Sequence, residues 1–283
     1  MLQLQNKICI VTGAGSGLGF AMAKGLLAAG ARVAALDISA ERVAQVKQGA
    51  APGQCVTLTC DIRNEHDCER AVDDVLAAFG GVHVLVNCAG LGMPHVRHDY
   101  LSNPVRFWEI DPQKWRDLIE VNINGAFLMG RCVTPHLLKQ GWGRIVNVTT
   151  SFSTMIRASN MPYGATKAAL EAASNAWAQE LADTGVSVNV LIPGGAADTA
   201  MIPQDSPYDR SRLVEPTVMV APAVWLASDL SNGVTGKRIV ARQWDAAKPW
   251  QEALAQAASP IAWPDLANEA LKGQPRSAGA LKV

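Results

Sequence analysis

Short runs of β-branched and apolar residues alternate with helical patterns almost to the end of the chain. The runs are 8–12 (ICIVT), 32–37 (RVAALD), 55–61 (CVTLTCD), 82–87 (VHVLVN), 144–149 (RIVNVT), 186–193 (VSVNVLIP) and 237–241 (KRIVA). The second, fourth and sixth are nearly continuous in apolar residues, as strands covered on both faces should be. Between the strands, segments such as 17–29, 65–79, 112–139 and 161–184 carry a helical period. Seven strands joined by helical crossovers predict an α/β fold with a doubly wound, seven-stranded parallel sheet.

Two intervals break the rhythm. Residues 91–111 and 194–218 hold Pro, Gly and Arg with few periodic apolar positions. Both follow strand C-termini, where open α/β sheets bind ligands. The pattern predicts one domain over 1–245, then an extension, 246–283, with short helices. Trp244, Trp250 and Trp263 of this region are expected to cover a substrate cleft or meet another subunit, because large rings seek burial.

The turn after the first strand, IVTGAGSGLGFAMAKGL (10–26), carries glycines 13, 15, 17 and 19 before a helix. Glycines there allow a tight turn and close approach to a pyrophosphate, while the helix start offers free N–H groups and a positive dipole end. Asp37 ends the second strand, where a carboxylate accepts hydrogen bonds from an adenosine ribose. The two features together predict a dinucleotide site. A carboxylate ~4 Å from a 2′-phosphate would repel it by about 4 kcal/mol at an effective dielectric of 20. Neither Ser16 nor Ile38 supplies a compensating cation, so NAD is expected over NADP.

Composition narrows the partners. Lys+Arg and Asp+Glu balance at 25 each, which gives no reason to expect nucleic acid or an anionic membrane. No apolar run is long enough for a membrane span, and the first residues do not read as a signal peptide. Six scattered cysteines without a C-x-x-C pair read as free thiols in a cytoplasmic protein. The five histidines, 66, 83, 95, 98 and 136, lack metal-ligand spacing, so no metal is expected. Arg97, Arg106, Arg157, Arg210 and Arg212 read as exposed loop charge, with a substrate carboxylate as the alternative. Trp108, Trp115, Met155 and Met161 are candidates for an apolar substrate wall, with core packing as the rival for Trp115.

With TGAGSGLG (12–19), DI (61–62), NCAG (87–90), Asn122 and YGATK (163–167) in this order, the chain resembles the short-chain dehydrogenase/reductase family over about residues 5–241. The resemblance implies a Rossmann-type sheet, a nicotinamide cofactor, oxidoreduction of a small-molecule alcohol or ketone, and a homotetramer or homodimer. It implies that Gly13, Ser16, Gly17, Leu18 and Gly19 meet the pyrophosphate, that Asp37 and Ile38 meet the ribose, and that Asp61 and Ile62 flank the adenine. Asn87, Ala89 and Gly90 would line the cofactor floor, and Pro193, Gly194 and Thr199 would hold the carboxamide. Asn122, Thr150, Tyr163 and Lys167 would form the catalytic set, with Tyr163 and Lys167 also touching the cofactor.

Three features depart from the family pattern. Threonine stands at 150, thirteen residues before the tyrosine, where a serine is usual, and Ser151 is one position off. The last strand runs into VARQWD without a glycine pair. The stretch from Asn87 to Asn122 is about ten residues longer than the pattern leads one to expect.

Removing hydride from an alcohol also requires removing its O–H proton. Tyrosine, with a pKa near 10, is ionised in roughly one molecule per thousand at neutral pH. Tyr163 and Lys167 stand at i and i+4 on one helical face. An ammonium ~4 Å away would be worth about 4 kcal/mol, or about three pKa units. Lys167 is therefore expected to make Tyr163 a usable general base. Two other readings stay open: a cofactor-binding member without redox turnover, and a lyase or epimerase on the same fold.

Overall fold

The computed structural model describes residues 4–265. Seven strands lie parallel: β1 (Ile8–Thr12), β2 (Arg32–Asp37), β3 (Cys55–Thr59), β4 (Val84–Asn87), β5 (Gly143–Val148), β6 (Val186–Ile192) and β7 (Lys237–Val240). Their order is β3-β2-β1-β4-β5-β6-β7, a doubly wound sheet with its switch point between β1 and β4. An eighth strand, β8 (Ala258–Pro260), adds to the edge antiparallel to β7, with Arg238 opposite Ser259. Three residues ending in proline carry no alternating signal, so the sequence pattern gave seven strands and not eight.

Side-chain alternation divides the core into two layers. Cys9, Val11, Val33, Ala35, Val84, Val86, Val146 and Val148 face helices α1 (Gly17–Ala28) and α2 (Ala40–Ala44) together with the C-terminal part of the chain. Ile8, Ile10, Ala34, Leu36, Leu85 and Ile145 face the opposite layer, which holds α3 (Glu65–Phe79). A short helix, α4 (Met93–Val96), precedes α5 (Pro112–Ile119), and a π-helical turn over 120–124 joins α5 to α6 (Gly125–Gln140). After β5 come α7 (Phe152–Met155) and α8 (Tyr163–Glu180); α6 and α8 complete the second layer. On the first face α9 (Val220–Leu226) and α10 (Trp250–Ala257) complete the cover.

Two of the three tryptophans of the C-terminal region pack inward. Trp244 and Trp250 stack on the buried Trp225 of α9, with ring centroids at 5.0 and 5.6 Å, and so join the core instead of covering a cleft. Trp263 lies against Phe152 at 5.8 Å, beside the segment that leaves β5. Residues 266–283 of the expected extension lie outside the described residues.

Candidate active site

The C-terminal ends of β1, β2, β4, β5 and β6 open onto one cleft of about 940 Å³. Gly13, Ser16, Gly17, Leu18, Gly19, Asp37, Ile38, Asp61, Ile62, Ala89, Gly90, Thr150, Tyr163, Lys167, Pro193, Gly194 and Thr199 all line it. Asn87 and Asn122 do not.

The glycine turn is built for close approach. Gly13 has φ +66°, and a Cβ there would lie 2.7 Å from Ala89 Cα. At Gly19 a Cβ would meet the carbonyl oxygen of Gly13 at 2.2 Å, so the start of α1 can press onto the turn only with glycine. No side chain caps α1 and no acid sits in its first turn, which leaves the N–H groups of its first turn to an incoming anion. Thr199 covers this end: a Cβ on Gly17 would stand 2.9 Å from its Cγ2. An uncapped helix start behind a sterically obligate glycine turn fits the pyrophosphate of a dinucleotide.

Asp37 is buried at the end of β2. Its carboxylate accepts from the backbone N–H of Gly15 (3.0 Å) and of Ser39 (2.9 Å). It also accepts from Arg42 Nη2 at 3.0 Å, a partner the sequence reading did not foresee. Arg42 lies five positions on, in the first turns of α2, and it swings back over Asp37 while Ser16 and Ile38 remain uncharged. Asp61 is held by Arg63 through both carboxylate oxygens, at 2.6 to 3.1 Å, and this partner keeps its pKa below the usual carboxylate range.

Asn87, expected on the cofactor floor, is turned into the sheet: its Nδ2 donates to Asn147 Oδ1 (2.9 Å) and to the carbonyl of Ala126 (3.3 Å). Strand alternation sends it to the α6 side, so it braces β4 against β5 and α6 from behind. Asn122 stands one layer behind the wall. Its Oδ1 accepts from Leu91 N (2.8 Å), and its Nδ2 donates to the Leu91 carbonyl (3.0 Å) and to Thr166 Oγ1 (2.9 Å). The π-turn widens the helix at this position and frees the amide to bind the loop after β4 instead of its own helix. Thr12 does the matching service on β1, accepting from Cys88 N and Ala89 N at 3.1 Å.

Tyr163 opens α8, and Lys167 follows one turn later, buried, with its ammonium donating to the carbonyl of Val148 at 2.9 Å. Burial pushes the Tyr163 phenol up to about 12, opposed by a hydrogen bond with the Thr150 side chain. Burial likewise brings Lys167 down to about 8. The expected lowering of the tyrosine by the lysine is therefore absent from the protein's own field. The ammonium is aimed at the end of β5, and desolvation is the largest influence on both groups.

Thr150 and Ser151 differ in what holds them. Strand β5 ends at Val148, so simple alternation no longer governs these two positions. Ser151 is the N-cap of α7, accepting from Thr154 N at 3.2 Å, and its hydroxyl stands 2.7 Å from Thr154 Oγ1 and 3.0 Å from Ser153 Oγ. Thr150 is left to face Tyr163.

Behind Thr150 lies a buried ion pair that the sequence did not reveal. Arg238 of β7 donates to Glu171 Oε2 of α8 at 2.7 Å and to the Thr150 carbonyl at 2.5 Å. The two side chains are 4% and 0% exposed. Glu171 also accepts from Thr149 Oγ1 (2.7 Å) and, from the C-terminal segment, Ala262 N (3.3 Å). The Arg238 guanidinium stacks on Phe152, 4.1 Å from its ring centre.

The remaining candidates separate cleanly. Met93, Leu101, Met201 and Ile202 supply the apolar wall of the cleft, whereas Trp108, Trp115, Met155 and Met161 do not line it. Trp108 is largely exposed on the segment after β4, and Met155 packs inside. His95 pairs with Asp117 at 2.7 Å, His98 with Asp205 at 2.9 Å, and His83 Nδ1 accepts from Ile8 N at 3.1 Å. Among the described residues no three His, Cys, Asp or Glu side chains gather to hold a metal ion, and no helix is long and apolar enough to cross a membrane. All six cysteines are free.

A family model described as short chain dehydrogenase matches residues 7–208. This chain belongs to the short-chain dehydrogenase family. It is 32% identical over 246 residues to the 2,5-dichloro-2,5-cyclohexadiene-1,4-diol dehydrogenase LinX of Sphingobium indicum, covering 83% of this chain and 94% of the relative. An uncharacterized oxidoreductase of Staphylococcus aureus is 30% identical over 213 residues, 75% of this chain and 87% of that one. The crystal structure of a 3-ketoacyl-(acyl-carrier-protein) reductase from Brucella melitensis, complexed with NADH, superposes with a TM-score of 0.74 at 30% identity, over 82% of this chain and 95% of that one. As a member of this family the protein is an oxidoreductase with a nicotinamide-cofactor site.

Proposed function

We propose that the protein is an NAD-dependent oxidoreductase that moves hydride between a secondary alcohol or ketone of moderate size and the cofactor, with Tyr163 as acid/base. The observation that carries this reading is that Tyr163 and Thr150 line the same cleft, one helical turn from the buried Lys167. When bound, the nicotinamide would accept or supply the hydride. The glycine turn and the start of α1 would hold the pyrophosphate, and Asp37 the adenosine ribose. Pro193, Gly194 and Thr199 would hold the carboxamide. Tyr163 would exchange a proton with the substrate oxygen while Thr150 hydrogen-bonds that same oxygen. Asn122 would act through the backbone of Leu91, as a positioning residue. A screen of secondary alcohols with NAD and of ketones with NADH, read as absorbance at 340 nm, tests the reading; no substrate-dependent NADH formation or consumption would favour a lyase, an epimerase or a non-catalytic member.

The phenol's high pKa sets a direction of pH dependence. With Tyr163 near 12, the proton donor needed for ketone reduction is fully present at neutral pH, while the base needed for alcohol oxidation is scarce. We expect kcat/KM for reduction to be level between about pH 6 and 8, and that for oxidation to climb with pH across the same range. Paired pH profiles check it; an oxidation rate that is level at neutral pH would show a base already ionised.

Cofactor choice follows from Asp37 and Arg42. One guanidinium neutralises one carboxylate, which leaves no surplus cation for a 2′-phosphate carrying most of two charges. NAD is expected to exceed NADP in kcat/KM by about tenfold or more, less than an unpaired Asp37 would impose. Asp37→Ser should bring the ratio towards one, and Arg42→Ala should widen it. Wild-type preference for NADP would sink the proposal.

A further inference from the structure

Charge along the cleft is nearly all paired. Asp37 is matched by Arg42, Asp61 by Arg63 and His95 by Asp117. Lys167 is directed at the Val148 carbonyl. Of the five loop arginines, Arg97 is held by Asn103 and Glu109, and Arg210 by Asp198. Arg157 alone of the five lines the cleft, and its guanidinium has no ion pair or hydrogen bond among the described residues. The hydroxyls of Tyr100 and Tyr208, which line the same end, have no hydrogen-bond partner there either. All three tyrosines of the chain therefore face this one cleft.

We propose that the substrate is a hydroxy acid or its keto acid, and that its carboxylate is received by the Arg157 guanidinium and the Tyr100 hydroxyl. The inference rests on the redox reading above and narrows its substrate class. Tyr100, Arg157, Tyr208 and Tyr163 all line one cleft, and Tyr100 is within electrostatic reach of the other three, so the anion site and the reacting oxygen belong to one space. Burial raises the Tyr100 pKa and keeps it a donor. No carboxylate other than Asp37 and Asp61, both at the adenosine end, lines the cleft among the described residues. An anion at the opposite end meets attraction without a competing acid. A planar guanidinium fork matches one carboxylate through two parallel hydrogen bonds. A phosphate monoester, with nearly twice the charge, would call for more than one cation. Leu101, Met93, Met201 and Ile202 provide apolar lining in the same cleft for the carbon chain.

The test uses the full-length protein and a matched panel: 2-, 3- and 4-hydroxy acids of about four to eight carbons, and their methyl esters. The readout is the acid-to-ester ratio of kcat/KM, with NAD followed at 340 nm. Charge-assisted hydrogen bonds of this kind are worth about 10- to 100-fold, so the wild-type ratio should reach that size. Arg157→Gln should bring it near one, Arg157→Lys should keep part of it, and Tyr100→Phe should lower it less. Turnover of esters with a wild-type ratio at or below one would overturn the carboxylate site and leave the redox reading standing. So would a high ratio that Arg157→Gln leaves unchanged. No turnover of any acid, ester or neutral alcohol would overturn both.

Discussion

Tyr163→Phe is expected to lower kcat by about 10²- to 10⁴-fold, the span that a general acid–base group contributes. The substitution removes one hydroxyl and leaves the ring, so the half-buried side chain keeps its packing at the start of α8. Affinity for NADH, measured by fluorescence titration, should change by less than about threefold, since a uniform loss of binding is not what this atom provides. Thr150→Ala should cost about 10²-fold, as loss of a donor to a developing oxyanion does, whereas Thr150→Ser retains the hydroxyl and should stay active. Ser151→Ala loses the cap of a four-residue helix and should affect stability by about 1 kcal/mol, with little effect on kcat. Retention of more than about a tenth of kcat in Tyr163→Phe would assign the proton transfer to another group.

Arg238→Ala should be the most damaging substitution outside the reacting groups. It would strand Glu171, which has no exposed surface, without its counter-charge. Breaking a buried pair from one side costs about 3–5 kcal/mol, which corresponds to a fall in Tm of roughly 10 °C in a chain of this size. The same change releases the carbonyl of Thr150, so activity should fall even at temperatures where the variant is folded. Replacing both partners, Glu171→Met with Arg238→Met, removes the charges together and should recover much of the Tm. Calorimetry on the two variants separates these cases; a double variant no better than the single one would show that hydrogen bonds to Thr149, Thr150 and Ala262 outweigh the charge.

What could be read in the sequence was local. The central strands declare themselves because both faces of each are covered, and the glycine turn because backbone contact at Gly13 and Gly19 admits no other residue. What could not be read depends on partners distant in the chain. Arg42 and Asp37 are five apart, yet nothing in AERVA tells that the arginine folds back. Asn87 sits in a motif that points to the cofactor, but a one-residue step along β4 decides that it faces Asn147. In KRIVA, Lys237 is exposed while Arg238 is buried, and only the register of β7 against β6 and β8 distinguishes them. The surroundings of the Tyr163–Lys167 pair are non-local in the same way. Spacing places Lys167 on the same helical face but says nothing of the Val148 carbonyl that draws its ammonium away.

The brace behind Thr150 also has a place in time. Glu171, Arg238 and Ala262 come from α8, β7 and the segment after β8, and a chain is made and folded from its N-terminus onward. Strands β1 to β6 can associate while the rest is still being synthesised. The end of β5 then waits for β7 and the segment after β8, which follow it by roughly a hundred residues in the chain. A nascent chain halted before residue 237 would hold the nucleotide-facing half of the sheet in finished form and the proton-transfer half without its clasp, so catalytic competence would arrive only after β7 has emerged.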